Sequence, residues 1–220
     1  MIIMKYPNIL ILTFLFSGCN KDCNIPGGYV FELQATLTPA KDTFNIGDTI
    51  NIVSEFEELV YDRTTRKYYN LRDFKFYPYS DIIKIDGSDA VAKFSGAFDL
   101  SIDTIYDLTM SKYSDGGDAL LGQYNYNNGR YVLKYKMIPK AKGLFLFKLT
   151  SLLYPANQSQ DFEDRCRKSK NGLDAFVNLN NGSDNNVDFL LNSPDQLWQN
   201  YWQKREDHFH KFGGYCFYVK

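Results

Sequence analysis

The chain has 220 residues, with 25 Lys and Arg against 26 Asp and Glu, so its formal charge at pH 7 is −1. That balance excludes the electrostatic footprint nucleic acid demands, and no polybasic block is present to hold an anionic membrane face. Aromatic residues make up 16% of the chain, mostly Tyr and Phe, which favour half-buried strands, and the length suffices for one good core with at most a small second unit.

Lys5 precedes an apolar run from Ile9 to Phe16, interrupted by Thr13, and Ser17, Gly18 and Cys19 follow. A positive start, a short apolar stretch and small residues are the order of a secretory signal peptide, here residues 1–18. The run is about half the roughly 20 residues a helix needs to cross a bilayer, so it suits a permanent span poorly. Phe16-Ser17-Gly18-Cys19 resembles the lipobox of bacterial lipoproteins. The resemblance implies cleavage after Gly18, a diacylglyceryl group on the Cys19 sulfur, and a membrane anchor through this N-terminal lipid. Two or more acyl chains would hold the protein stably. Asn20-Lys21-Asp22 partly resembles the surface-export signal of Bacteroidetes-type lipoproteins. The expected location is therefore the cell envelope, as an outer-membrane lipoprotein, surface-exposed or facing the periplasm.

Past Cys19 the chain holds Cys23, Cys166 and Cys216. An oxidising compartment favours disulfides. Cys23 falls in a short tether, residues 19–28, whereas the other two fall in the folded C-terminal part. The expected pair is Cys166–Cys216, with Cys23 spare or competing as a partner. No close Cys pair suggests a metal site.

Strand signals follow at short intervals. Tyr29 to Leu37 alternates with period 2 up to Pro39, Asp42 to Asp48 reads as a turn, and Thr49 to Phe56 as the next strand. Further candidates are Phe74–Tyr77, Ile82–Ile85, Ala97–Ile105, Arg130–Ile138 and Leu144–Leu152. Asn127-Asn128-Gly129 predicts a hairpin joining Gln123–Tyr126 to Tyr131–Tyr135. About seven short strands with such turns indicate a β-sandwich. The stretch from Leu37 to Ile50, with Phe44-Asn45-Ile46-Gly47-Asp48-Thr49-Ile50, resembles the opening of immunoglobulin-like domains of bacterial surface proteins, and Pro139 to Leu149 is similar to a late strand of such a sandwich. This resemblance implies a fold and no activity. The expected fold class is mainly β: an immunoglobulin-like β-sandwich over residues 29–152, with a helix-plus-strand C-terminal α/β extension over 153–220 packed on it.

In that extension, Asp174–Leu179 reads as a strand and Asn180 to Asp188 as a loop. Ser193 and Pro194 are suited to the N-cap and first position of a helix. Leu197, Trp198, Tyr201, Trp202, His208, Phe209 and Phe212 would form its apolar stripe, Gly213-Gly214 would end it, and Tyr215–Val219 would be a last strand.

Few constellations point to chemistry. His208 and His210 are the two histidines, and on a helix positions i and i+2 face about 200° apart, which does not suit metal ligation. Asn178 to Asp184 superficially resembles a calcium loop but lacks its acid-first spacing and terminal Glu, so a turn is expected. The acid clusters Glu57/Glu58, Asp99/Asp103/Asp107 and Asp161/Glu163/Asp164 read as solvated faces. A glycan hydrolase would require two carboxylates about 5 to 9.5 Å apart, a separation that sequence spacing does not establish. Trp198, Tyr201 and Trp202 are candidates for stacking a sugar ring, against the plainer reading of helix core, and the tyrosine-rich segment Tyr124–Tyr135 is a second candidate aromatic surface that cross-strand pairing explains as well. The expected function is non-catalytic binding or interaction at the envelope, with an unknown envelope protein or glycan as partner. The alternative is a glycan-binding accessory of polysaccharide uptake. No cofactor, metal or nucleic acid is expected.

Overall fold

The structure, a computed structural model, describes residues 25–87, 93–153, 159–166 and 172–220; the expected signal peptide, Cys19 and Cys23 lie outside the described residues. The fold is mainly β, an immunoglobulin-like β-sandwich of two sheets. Its strands are β1 (Tyr29–Thr38), β2 (Thr43–Phe44), β3 (Ile50–Glu57), β4 (Leu59–Asp62), β5 (Lys67–Asn70), β6 (Tyr77–Lys84), β7 (Phe98–Ile102), β8 (Asp107–Lys112), β9 (Asp118–Gln123), β10 (Asn125–Asn127), β11 (Arg130–Pro139), β12 (Gly143–Leu152), β13 (Leu173–Leu179) and β14 (Tyr215–Val219). The first sheet runs β10-β11-β3-β1-β4-β5, with β13 also on β1 and β7 also on β11. The second runs β2-β14-β12-β6-β9-β8.

Alternation along the strands builds the core between the sheets. Phe31, Leu33, Ala35 and Leu37 of β1 point inward beside Ile50, Ile52 and Phe56 of β3 and Leu133 and Met137 of β11. Phe145, Phe147, Leu149 and Phe217 meet them from the second sheet. The intervening residues of β1, β3 and β11 are partly or fully exposed, so the outer face of the first sheet meets solvent. Burying a large apolar side chain contributes about 1.5–3 kcal/mol, and this aromatic layer is the main source of stability.

The Asn128-Gly129 hairpin forms as expected. Asn127 faces Arg130 across the turn, and both central residues have positive φ, 51° and 79°, which Asn and Gly tolerate. The Asp42–Asp48 segment differs in part, because Thr43 and Phe44 form β2, a short parallel partner for β14. The Asn45–Asp48 turn then carries the chain to β3.

The C-terminal part does not stand outside the sandwich as an extension. β13 pairs in parallel with β1 from Tyr29↔Leu173 to Ala35↔Leu179, and β14 pairs with β12 from Gly143↔Val219 to Phe147↔Tyr215. One strand therefore enters each sheet. Between them, helix α1 (Gln196–Gln203) and the turns around it cover the outer face of the second sheet. There Val187, Leu190, Trp198 and Phe209 pack on Ile83, Ile85, Leu144, Leu146 and Cys216. The helix begins two residues later than the Ser193/Pro194 reading. Asp195 is the cap and accepts from Leu197 N–H, while Ser193 Oγ accepts from Asp195 N–H. Trp198 to Tyr201 then carry the helix over the sheet, but it ends at Gln203, well before the predicted Gly213-Gly214 stop, and the chain widens into a single π-type turn at Glu206–His210.

Candidate functional site

The expected stacking residues do not form an exposed platform. Trp198 is only 2% exposed, sealed into the cluster beneath the helix. Tyr201 and Trp202 are half-buried. Tyr201 stacks on His208 at 5.0 Å, and Trp202 donates its ring N–H to Asp188 at 2.8 Å with the Arg205 guanidinium 5.3 Å over its ring. With Trp198 sealed beneath the helix, Tyr201 against His208 and Arg205 over Trp202, the three rings do not share one exposed face. The second aromatic candidate turns inward too: Tyr124, Tyr131 and Tyr135 are buried between the sheets, where inward strand positions place them, and their hydroxyls find partners on Ser54, the Leu71 carbonyl and Ser80.

The expected Cys166–Cys216 disulfide is not formed. Cys216 is a free, buried thiol on the outer side of β14, beneath the helix. Cys166 packs in the inter-sheet core, at the end of the sandwich where its backbone N–H donates to Tyr29 Oη at 2.8 Å. The two cysteines belong to clusters on opposite faces of the second sheet, which keeps their sulfurs apart.

The remaining candidates resolve into structural roles. Asn180 and Asn181 adopt positive φ, 54° and 56°, a conformation that suits asparagine. Asn180 Oδ1 accepts from Leu37 N–H at 2.9 Å and its amide donates to Asn185 at 2.9 Å, so this segment ties the end of β1 as a turn. Among the described residues, no group of three or more His, Cys, Asp or Glu is placed to hold a metal. Glu57 and Glu58 diverge: Glu57 pairs with Arg130 at 2.8 Å, while Glu58 accepts from Tyr126 and Arg72. The Tyr126 hydroxyl, then Arg72, hold the Glu58 carboxyl below its usual range. Asp99 pairs with Lys140 and Asp103 caps its own turn.

The surface with the chemistry of a binding site lies elsewhere, on the solvent face of the first sheet. After β3, the chain enters β4 and returns as β5 through a tight turn that Asp62 holds by accepting from Thr65 N–H, Thr65 Oγ1 and Val30 N–H. Asp62 is fully buried, so three donors offset its desolvation. The Tyr61↔Tyr68 register sets these two rings side by side, 5.3 Å between centroids, while their neighbours Val60 and Tyr69 turn into the core. Tyr68 is 64% exposed and Leu59 57%.

These rings floor an open trough of about 450 Å³ that Glu32 and Gln34 of β1, Glu55 and Glu57 of β3, and Arg130 of β11 border. Every carboxylate has a cationic neighbour: Arg63 on Glu32 at 3.2 Å, Arg130 on Glu55 and Glu57 at 3.0 and 2.8 Å, and Lys134 on Glu55 at 3.3 Å. Three acids thus meet three bases, and the trough is locally neutral. Solvent-exposed pairs of this kind contribute little to stability, about 0–1 kcal/mol each, so their donors and acceptors can be shared with a ligand at low cost. Hollows of similar size open beside Ile105–Tyr126 and beside Tyr106–Lys134, but neither sets two tyrosine rings side by side at its surface. No motif marked the trough in the sequence. A period-2 alternation across Leu59–Tyr61 and Tyr68–Tyr69 was the available signal.

No family model matches the sequence, and no curated protein matches it. Among solved structures, the chain is similar to the human F-spondin reeler domain, with TM-score 0.33 and 12% identity over 66% of this chain and 88% of that one. It is also similar to the second type II cohesin module of the adaptor ScaA scaffoldin of Acetivibrio cellulolyticus, with TM-score 0.28 and 9% identity over 66% and 92%, respectively. A further type II cohesin domain from the cellulosome of the same organism gives TM-score 0.27 and 9% identity over 58% and 77%. At this distance these likenesses say nothing of a ligand.

Proposed function

We propose that the protein is a non-catalytic binding module, lipid-anchored at Cys19 to the outer membrane, that takes its ligand in the Tyr61–Tyr68 trough. The observation that carries this reading is the pair of neighbouring tyrosine rings, Tyr68 exposed and Tyr61 half-buried, set among hydrogen-bonding groups on paired strands. Tyrosine and arginine supply much of the binding energy at recognition surfaces, and strands hold such groups more precisely than loops.

The local charge balance favours a neutral glycan over a charged peptide. Pyranose rings present an apolar face to an aromatic ring and hydroxyls to carboxylate, amide and guanidinium groups, which is the set that Tyr61, Tyr68, Glu55, Gln34 and Arg130 offer. An envelope protein partner is the second reading, and the exposed Leu59 side chain favours it.

Titration of a neutral oligosaccharide panel, followed by calorimetry, tests the site. At least one glycan should bind wild-type protein, and Tyr68→Ala should abolish that binding with an unchanged melting temperature, since the side chain is mostly exposed. A glycan that binds wild type and Tyr68→Ala equally would remove the trough from consideration. If no glycan binds and an envelope protein is captured in a Tyr68-dependent way, the glycan reading falls and the trough stands as a protein site.

A further inference from the structure

Cys166 is disulfide-bonded, yet Cys216, the partner its position in the sequence suggested, is a free thiol. The chain has four cysteines, so Cys19 and Cys23 are what remain. We infer that Cys166 is bonded to Cys23, and that this bond fixes which end of the sandwich faces the membrane.

Three observations converge on the N-terminal side of β1. Ile25 packs against the inter-sheet core, and Gly28 N–H donates to the Ile25 carbonyl at 3.0 Å, which folds the chain back as it enters β1. Tyr29 N–H donates to the Gly172 carbonyl at 3.0 Å, and Tyr29 Oη accepts from Cys166 N–H at 2.8 Å. The tether therefore enters the fold beside Cys166. Cys23 precedes Ile25 by two residues, a reach of roughly 7 Å at full extension. If Cys19 carries the lipid, its sulfur is a thioether and has no thiol left to oxidise, which leaves Cys23. This last step rests on the lipoprotein reading above.

The chemistry balances simply. The Cys23 and Cys166 thiols lose two protons and two electrons as the S–S bond forms, and a disulfide-bearing oxidant of the exported compartment takes up both electrons and becomes a dithiol. The consequence is geometric. Cys19 lies four residues before Cys23, at most roughly 14 Å of chain. The end of the sandwich formed by Tyr29, Leu173 and Phe162 is thus held close to the bilayer. The opposite end, with the Asn45–Asp48 and Lys140–Lys142 turns, lies about 30 Å away along β1, the span of its ten residues. The trough opens on the flank of the sandwich toward this same end, with Glu32 and Gln34 three and five residues along β1 from Tyr29.

Peptide mapping of the full-length protein from native membranes, alkylated and digested without reduction, tests the pairing. The expected result is a peptide containing Cys23 joined to one containing Cys166, with Cys216 alkylated only after denaturation. An alkylated Cys166, or Cys166 joined to Cys19 or Cys216, overturns it. The acyl mass on the N-terminal peptide is read in the same experiment, so loss of the anchor and loss of the pairing are seen separately. In a Cys23→Ser variant, denatured without reductant, two sulfurs, Cys166 and Cys216, should take up label where wild type shows one. A single label in both proteins counts against the bond.

Discussion

Tyr135 on β11 donates its hydroxyl to Ser80 Oγ on β6 at 2.7 Å, a hydrogen bond that crosses from one sheet to the other through the apolar core. Both residues are buried, and burial raises the phenol well above its usual range while the Ser80 contact opposes it. Ser80→Ala should cost about 1–3 kcal/mol, because it strands a buried O–H without a partner. Tyr135→Phe should cost less, since Ser80 is the smaller group to leave. The double variant should be more stable than the sum of the single losses predicts, which urea unfolding of all four proteins would measure. Strict additivity would mean that the two hydroxyls do not interact.

Much of this core was legible in the residues themselves. The alternation in Tyr29–Leu37 set β1 and its inward face, and Asn128-Gly129 set the hairpin, because each signal is local. The C-terminal strands were legible as strands but not as members of the sandwich. β13 joins β1 in parallel across more than a hundred intervening residues, and no local periodicity encodes that pairing. The tyrosines between Tyr124 and Tyr135 misled as a surface, because an aromatic phenol reads alike whether its hydroxyl meets water or a buried serine. The trough depends on strand pairing too: Tyr61 and Tyr68 become neighbours only once the Asp62–Arg66 turn folds β5 back on β4.

Asp81 and Lys148 face each other on the second sheet, with Lys148 Nζ 3.3 Å from the carboxylate and Asp81 only 4% exposed. Burial raises the Asp81 carboxyl, and Lys148 opposes it without cancelling the shift. A carboxyl raised on folding stabilises fully below its unfolded value, about 3.9, and that contribution is lost as pH rises through the folded value. The melting temperature of Asp81→Asn should therefore fall less than that of wild type between pH 4 and neutrality; parallel profiles would rule out this origin. Lys148→Met should be the more damaging change at pH 7, on the order of 3 kcal/mol, because it leaves the buried carboxylate unpaired.

Cys216 is fully buried beside Leu144, Leu146 and Phe209 and behaves as a small apolar group. Burial, with Asp184 adding to it, pushes its thiol well above the usual range. The native protein should resist thiol reagents, and labelling should follow unfolding. Its share of stability is present below about pH 8.5, the unfolded thiol value, and is lost as pH rises through the folded value. Cys216→Ser should cost about 1–3 kcal/mol by burying a hydroxyl in an apolar cluster. Fast labelling of the folded protein at pH 7 would show that the helical cover opens.

Arg130 bridges Glu55 and Glu57 at the edge of the trough and is itself 53% exposed. Removing it should change stability by less than about 1 kcal/mol, because exposed pairs contribute little. Its effect on recognition should be larger. Arg130→Ala leaves Glu57 without a close cation and Glu55 with Lys134 alone, so the trough gains net negative charge. A neutral glycan should then bind more weakly, by roughly tenfold for the loss of one charge-assisted hydrogen bond, about 1.5 kcal/mol. Its wild-type affinity should change little between low and high salt, since no net charge is screened. A ligand whose affinity rises on Arg130→Ala and falls steeply with salt would instead be cationic, and the match between a neutral trough and a neutral ligand would be lost. Arg130→Lys separates charge from geometry: it restores neutrality but not the planar fork that engages both glutamates, so partial recovery is expected.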